Sequence, residues 1–137
     1  MRDSDGDIET AHGMTGAELV ETVGVDQLHR FEADVFIDAL GDSEPTVVAA
    51  AGWVIEDVDC RRLMVERSLV AVLDLNIDDL VRRIASGNHR RTMTETELLA
   101  AASRRGPLFD EVATWRLDAA MPTDELVARV VADVPGT

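Results

Sequence analysis

The chain has 137 residues, 46% of them hydrophobic and 29% charged, with a formal net charge of −14. That length suits one domain around one core, and the hydrophobic share argues against disorder. So acidic a chain is a poor partner for nucleic acid or anionic lipid, and no apolar run approaches the roughly 18 residues of a membrane span. The acidic start MRDSDGDIE lacks the basic and apolar regions of a secretory signal, and the single cysteine, Cys60, excludes an intrachain disulfide and a cysteine-rich metal site. A cytoplasmic protein is the expectation. All 13 basic residues are Arg, so no chemistry that needs a lysine runs on these residues alone. Charge is uneven: residues 82–116 hold seven Arg against four acids, a net of +3, and the remainder holds six Arg against 23 acids, a net of −17. Arg82 and Arg83 read as solvated, whereas Arg elsewhere in this stretch suits a local site for carboxylate or phosphate.

In chain order, Asp3-Ser4-Asp5-Gly6-Asp7 reads either as a frayed terminus or as a metal or hydroxyl site. Thr15 and Glu18 form a capping box for a helix that ends at Gly24. Asp26 is expected to cap the next helix, whose apolar face is Leu28, Phe31, Val35, Phe36, Ala39 and Leu40, with Glu32, Asp34 and Asp38 toward water. Residues 45–51 form an apolar run without alternation, which predicts a parallel strand buried on both faces. Ligands in open α/β sheets sit beyond the carboxyl ends of strands, so the loop at Gly52-Trp53 is the place to look for a site. A helix over 57–67 follows, with Val58, Leu63 and Met64 inward, then a second continuous apolar strand over 69–73. Asn76 caps a helix carrying Ile77, Leu80, Val81 and Ile84 on one face. After the polar stretch 86–91, Thr94 and Glu97 form a second capping box for a helix expected to stop at Gly106-Pro107. Residues 113–117 suit a last strand, and 124–133 a closing helix with Leu126, Val127, Val130 and Val131 inward. Strands separated by helices imply an α/β fold with parallel pairing, here a short sheet of about three strands in one domain over 1–137.

Five segments in order resemble shikimate kinase. DSDGDIETAHGMTGAELVETVGVDQLHRFEADVF resembles the family's D-T-D-x-x-I-E…G-x-S-I-x-E-I-F…G-E-x-x-F-R-x-x-E segment. VVAAAGWVIEDVDCRRLM resembles its strand, triple-glycine loop and helix, and VAVLDLNIDDLVRRI its V-x-L-D strand and the helix after it. SRRGPLFDEVA resembles the R-x-P-L-Y-x-E-V-A block, and ADVPG closes the last helix. The resemblance implies a P-loop-kinase-like three-layer α/β/α fold. It places the family's two acids on Asp3, which would help organise Mg²⁺, and Asp5, which would hold substrate hydroxyls. The substrate-carboxylate Arg falls on His29, with Arg30 one residue (about 100° of helix) out of register. The glycine loop becomes Ala51-Gly52-Trp53, where an indole stands in the space glycine leaves open. Arg90 or Arg91 matches the phosphate-binding Arg of the lid, and Arg105 matches the second carboxylate-binding Arg.

A shikimate kinase begins with a strand, a P-loop G-x-x-x-x-G-K-[ST] and a helix, and that pattern occurs nowhere in these 137 residues. The family's central strand is likewise expected to be missing between the strands at Val47 and Val70. Three readings follow. The chain is a shikimate-kinase-like protein, catalytically incomplete on its own, with ATP and Mg²⁺ relevant only if a P-loop is supplied, and with a small carboxylated or phosphorylated ligand as partner. Alternatively, it is the C-terminal part of an ATP-dependent shikimate kinase of the chorismate pathway, shortened by start-site choice. Alternatively, it is a non-catalytic module that takes a protein partner or self-associates through a vacant sheet edge.

Overall fold

The computed structural model describes residues 1–85 and 93–135. Its spine is α3 (Val25–Leu40). Apolar residues recurring every three or four positions give this helix one inward stripe, and the stripe serves two clusters. Near its start, Leu28 meets Ile8 of α1 (Ser4–His12) and Leu19 of α2 (Gly16–Val23). Further along, Ala33 and Phe36 meet Val54 and Ile55 of a 3₁₀ turn (Gly52–Glu56), Cys60 and Met64 of α4 (Val58–Arg67), and Val112 of α6 (Glu95–Val112). Fully burying an aliphatic side chain contributes about 1.5–3 kcal/mol, so Ile8, Val54 and Ile55, each 2% exposed, anchor this half of the molecule.

The helix starts follow the capping logic in most places. Thr15 accepts from the Glu18 N–H at 3.2 Å, Thr94 from Glu97 at 3.1 Å and Asn76 from Asp79 at 2.9 Å, the last opening α5 (Ile77–Ala85). Asp57 caps α4 through the Cys60 N–H at 2.8 Å. Asp26 does not cap α3: Gly24 occupies that position, with no side-chain bond. One helix was not expected at all. Asp3 caps α1 through the Asp5 N–H, Asp5 and Asp7 sit in its positive first turn, and Gly13 closes it at φ 69°, a left-handed value that glycine adopts without strain. Helix α6 also outruns its expected stop and continues through Pro107. A proline inside a helix forfeits one backbone bond; the continuation is held by Leu108, Phe109 and Val112, which pack on the larger cluster.

Pairing is parallel throughout, as expected, but the strands lie in two pairs. Strand β1 (Arg2–Asp3) pairs with β2 (Val48–Ala49), and β3 (Ala71–Asp74) with β4 (Trp115–Asp118). Val48 and Val70 pack against the same larger cluster, so both pairs rest on one core. Neither apolar run is buried on both faces. Val47 is 69% exposed and Leu73 58%, whereas Val72 is 7%. The reason is local: each pair has a partner strand on one edge only among the described residues, so one side of each run meets no second layer. The same holds for α7 (Thr123–Asp133), whose Val127 and Val131 were expected inward and are about half exposed; Val58 of α4 also points outward. Glu32, expected in water, has a side chain only 14% exposed.

Candidate functional site

The start of α1, the first half of α3, the end of β2 and the body of α6 surround a cavity of about 300 Å³. Asp3 reaches it from the end of β1, Asp5 from α1, His29 and Glu32 from α3, Gly52 and Trp53 from the 3₁₀ turn, and Arg105 from α6. Five of the positions singled out from the sequence (Asp3, Asp5, His29, Gly52 and Arg105) therefore line one space, although they are spread over most of the chain. Arg30 is exposed and does not line it, in keeping with its place one step round the helix from His29. Arg90 and Arg91 lie outside the described residues.

On one wall, His29 stacks on Trp53 with ring centroids 4.4 Å apart and planes 6° from parallel. The indole lines the cavity next to Gly52, and the imidazole edge faces Glu32, with Nε2 4.0 Å from its Oε1. From α6, the Arg105 side chain, 17% exposed, donates through its Nε to Glu56 Oε2 at 2.8 Å. Gly52 matters here for close approach, because a Cβ at this position would lie 3.0 Å from Arg105 Nη1. Glu56 also accepts from Arg104 Nε at 3.1 Å through its other oxygen. Burial opposes ionisation of Glu56, but hydrogen bonds from Arg104 and Arg105 outweigh it and hold the carboxyl below its ordinary range. Neither Glu32 in the wall nor Glu56 behind it was found from sequence. Glu32 was assigned to the wet face of α3, and Glu56 lies 49 positions from its partner Arg105.

Such a cavity can hold a small ligand by its carboxylate at Arg105 and by its hydroxyls at carboxylate acceptors such as Asp5. Mg²⁺ keeps several waters and takes one or two carboxylates plus phosphate oxygens. Asp3 suits one such carboxylate, although its Oδ1 already accepts from the Asp5 N–H at 3.0 Å. Among the described residues, no group of three or more His, Cys, Asp or Glu is placed to hold a metal ion. No helix among them is long and apolar enough to cross a membrane. Cys60, fully buried behind the site, has its thiol pushed up to about 12 by burial and by the neighbouring Asp57 charge, which makes it a packing group and not a nucleophile.

Parallel strand pairs ringed by helices, with a polar cavity beside the end of β2, make this an α/β fold with a site of small-molecule size. The family model for shikimate kinase (SKI) matches residues 1–135. The shikimate kinase of Shewanella amazonensis is 31% identical over 138 residues, covering 97% of this chain and 77% of that protein. The shikimate kinase of Frankia casuarinae is 32% identical over 139 residues, and this chain spans 61% of its length. This chain belongs to the shikimate kinase family. Its fold matches that of a shikimate kinase from Acinetobacter baumannii, solved in complex with shikimate, at a TM-score of 0.83 and 22% identity over 95% of this chain and 74% of that one. The shikimate kinase of Aquifex aeolicus matches at a TM-score of 0.77 and 15% identity, covering 96% of this chain and 78% of that one.

Proposed function

We propose that this chain carries the acceptor-binding half of a shikimate-kinase site and does not transfer a phosphoryl group by itself. The cavity binds a small carboxylated polyol of the shikimate type, with the carboxylate on Arg105 and a hydroxyl on Asp5. The observation that carries this reading is the approach of Arg105 to the Gly52 backbone, inside a cavity that Asp5 also lines. The second half of the proposal rests on composition. Phosphoryl transfer is positioning and charge stabilisation by a phosphate cradle, a lysine and Mg²⁺. These 137 residues contain no Lys and no G-x-x-x-x-G-K-[ST]. The His29–Trp53 stack adds to this reading by narrowing the acceptor side of the cavity.

The test is an ADP-release assay with purified chain, ATP, Mg²⁺ and shikimate. No shikimate-dependent ADP above the protein-free rate is expected. Turnover anywhere near the 1–100 s⁻¹ typical of kinases would overturn the inactive half of the proposal. A second reading, an interaction module that accepts a strand, is favoured by the exposed Val47 and Leu73 beside one-sided strand pairs. Light scattering across a concentration series checks it: a constant monomer mass would exclude the self-associating form.

A further inference from the structure

We propose that Glu56 is a positioning residue for the anion site, holding the Arg105 guanidinium with its Nη edge toward the cavity; this rests on the carboxylate-binding reading of Arg105. Glu56 does not line the cavity itself. It closes the 3₁₀ turn that carries Gly52 and Trp53, and its side chain, 20% exposed, crosses to α6. There it takes only the Nε of Arg105, at 2.8 Å. A guanidinium is a rigid fork, so fixing Nε fixes the direction of both Nη groups. Arg105 Nη1 consequently comes to rest over Gly52, where no Cβ blocks it. The Nη groups make no hydrogen bond within the described residues, which leaves them for a ligand carboxylate.

Charge explains why the clamp does not silence the receptor. Glu56 divides its two oxygens between Arg104 Nε at 3.1 Å and Arg105 Nε at 2.8 Å. Two guanidiniums against one carboxylate leave a net of +1 on the three groups. Arg104, with a side chain 57% exposed, is the outer member, so Glu56 ties Arg105 in place without cancelling its charge. The same contact fastens the turn that bears Trp53 to the helix that bears Arg105, joining the two walls of the cavity.

The experiment titrates shikimate and its uncharged methyl ester into wild type, Glu56→Gln and Glu56→Asp, with a thermal melt of each protein. Glu56→Gln keeps the shape but loses the negative charge and one of the two acceptor oxygens, so shikimate affinity should fall about tenfold while affinity for the ester changes less than about twofold. Glu56→Asp, charged but shorter, should recover part of the loss. Equal losses for acid and ester, or no loss for either, would show that Glu56 merely supports the fold and would overturn the inference. If wild type itself shows no preference for the acid over the ester, the carboxylate reading of Arg105 fails first and the role of Glu56 fails with it.

Discussion

The two flanks of this molecule are built to different standards. Around α3, the helices α1, α2 and α4 and the 3₁₀ turn each place at least one side chain in a buried cluster, although Val23, Val58 and Val65 face outward. On the other flank, α5 and α7 contribute no buried residue, and β3 shows Leu73 to solvent. The cavity lies mainly on the first flank and takes only Leu80 from α5. Binding groups therefore stand on the well-packed part of the fold, where side chains are held in register. The second flank buries Val72 and Leu117 but leaves α5 and α7 without a buried side chain, so it adds less stability than the first.

The largest expected effect exploits that contrast directly. Phe36→Ala empties a site in the larger cluster and should cost about 3–5 kcal/mol, whereas Val131→Ala on the exposed face of α7 should fall within about 0.5 kcal/mol of wild type. Urea unfolding of the two variants measures the difference; similar midpoints would mean that the flanks are equally packed. A smaller effect probes the cavity rather than the core. Gly52→Ala forces Arg105 Nη1 to give way by a few tenths of an ångström, and shikimate affinity should drop about threefold with an unchanged melting temperature. A gain in affinity, or no change, would show that Arg105 does not use that approach.

The smallest effect is a pH dependence. Glu56 is held below its ordinary range when folded, so its contribution to stability is fully present above the unfolded-state pKa and is lost as pH falls through the folded one. The urea-midpoint difference between wild type and Glu56→Gln should therefore be largest near neutrality and shrink on acidification below the ordinary carboxylate range. A difference that grows toward acid would have the wrong sign for this clamp.

Local chemistry was readable along the chain, and layering was not. Thr15, Asn76 and Thr94 announce their helices because a cap is a contact within three residues. The inward stripe of α3 shows in its spacing, with Leu28, Phe36 and Ala39 buried as expected. Helix α1 was hidden because Gly6, Asp5 and Asp7 have weak helix propensity, and its start depends on the Asp3 cap and on Ile8 reaching the core. Runs such as 45–51 look doubly buried because an apolar run does not say whether both of its faces find a layer; Val47 does not. Gly106-Pro107 carries a stop signal that tertiary packing of Phe109 and Val112 overrides. At the site, the resemblance to shikimate kinase led to Asp5, His29, Gly52 and Arg105, which meet in one cavity. Glu56 was invisible because its meaning lies in a contact across 49 positions.

The central claim is that Arg105 makes this cavity a carboxylate site. Equilibrium titration of shikimate into wild type and Arg105→Gln, followed by calorimetry, tests it most directly. The account predicts binding by wild type and a loss of about tenfold or more in the variant, the scale of one charge-assisted pair. Equal affinities for the two proteins, or no binding by wild type, would contradict it.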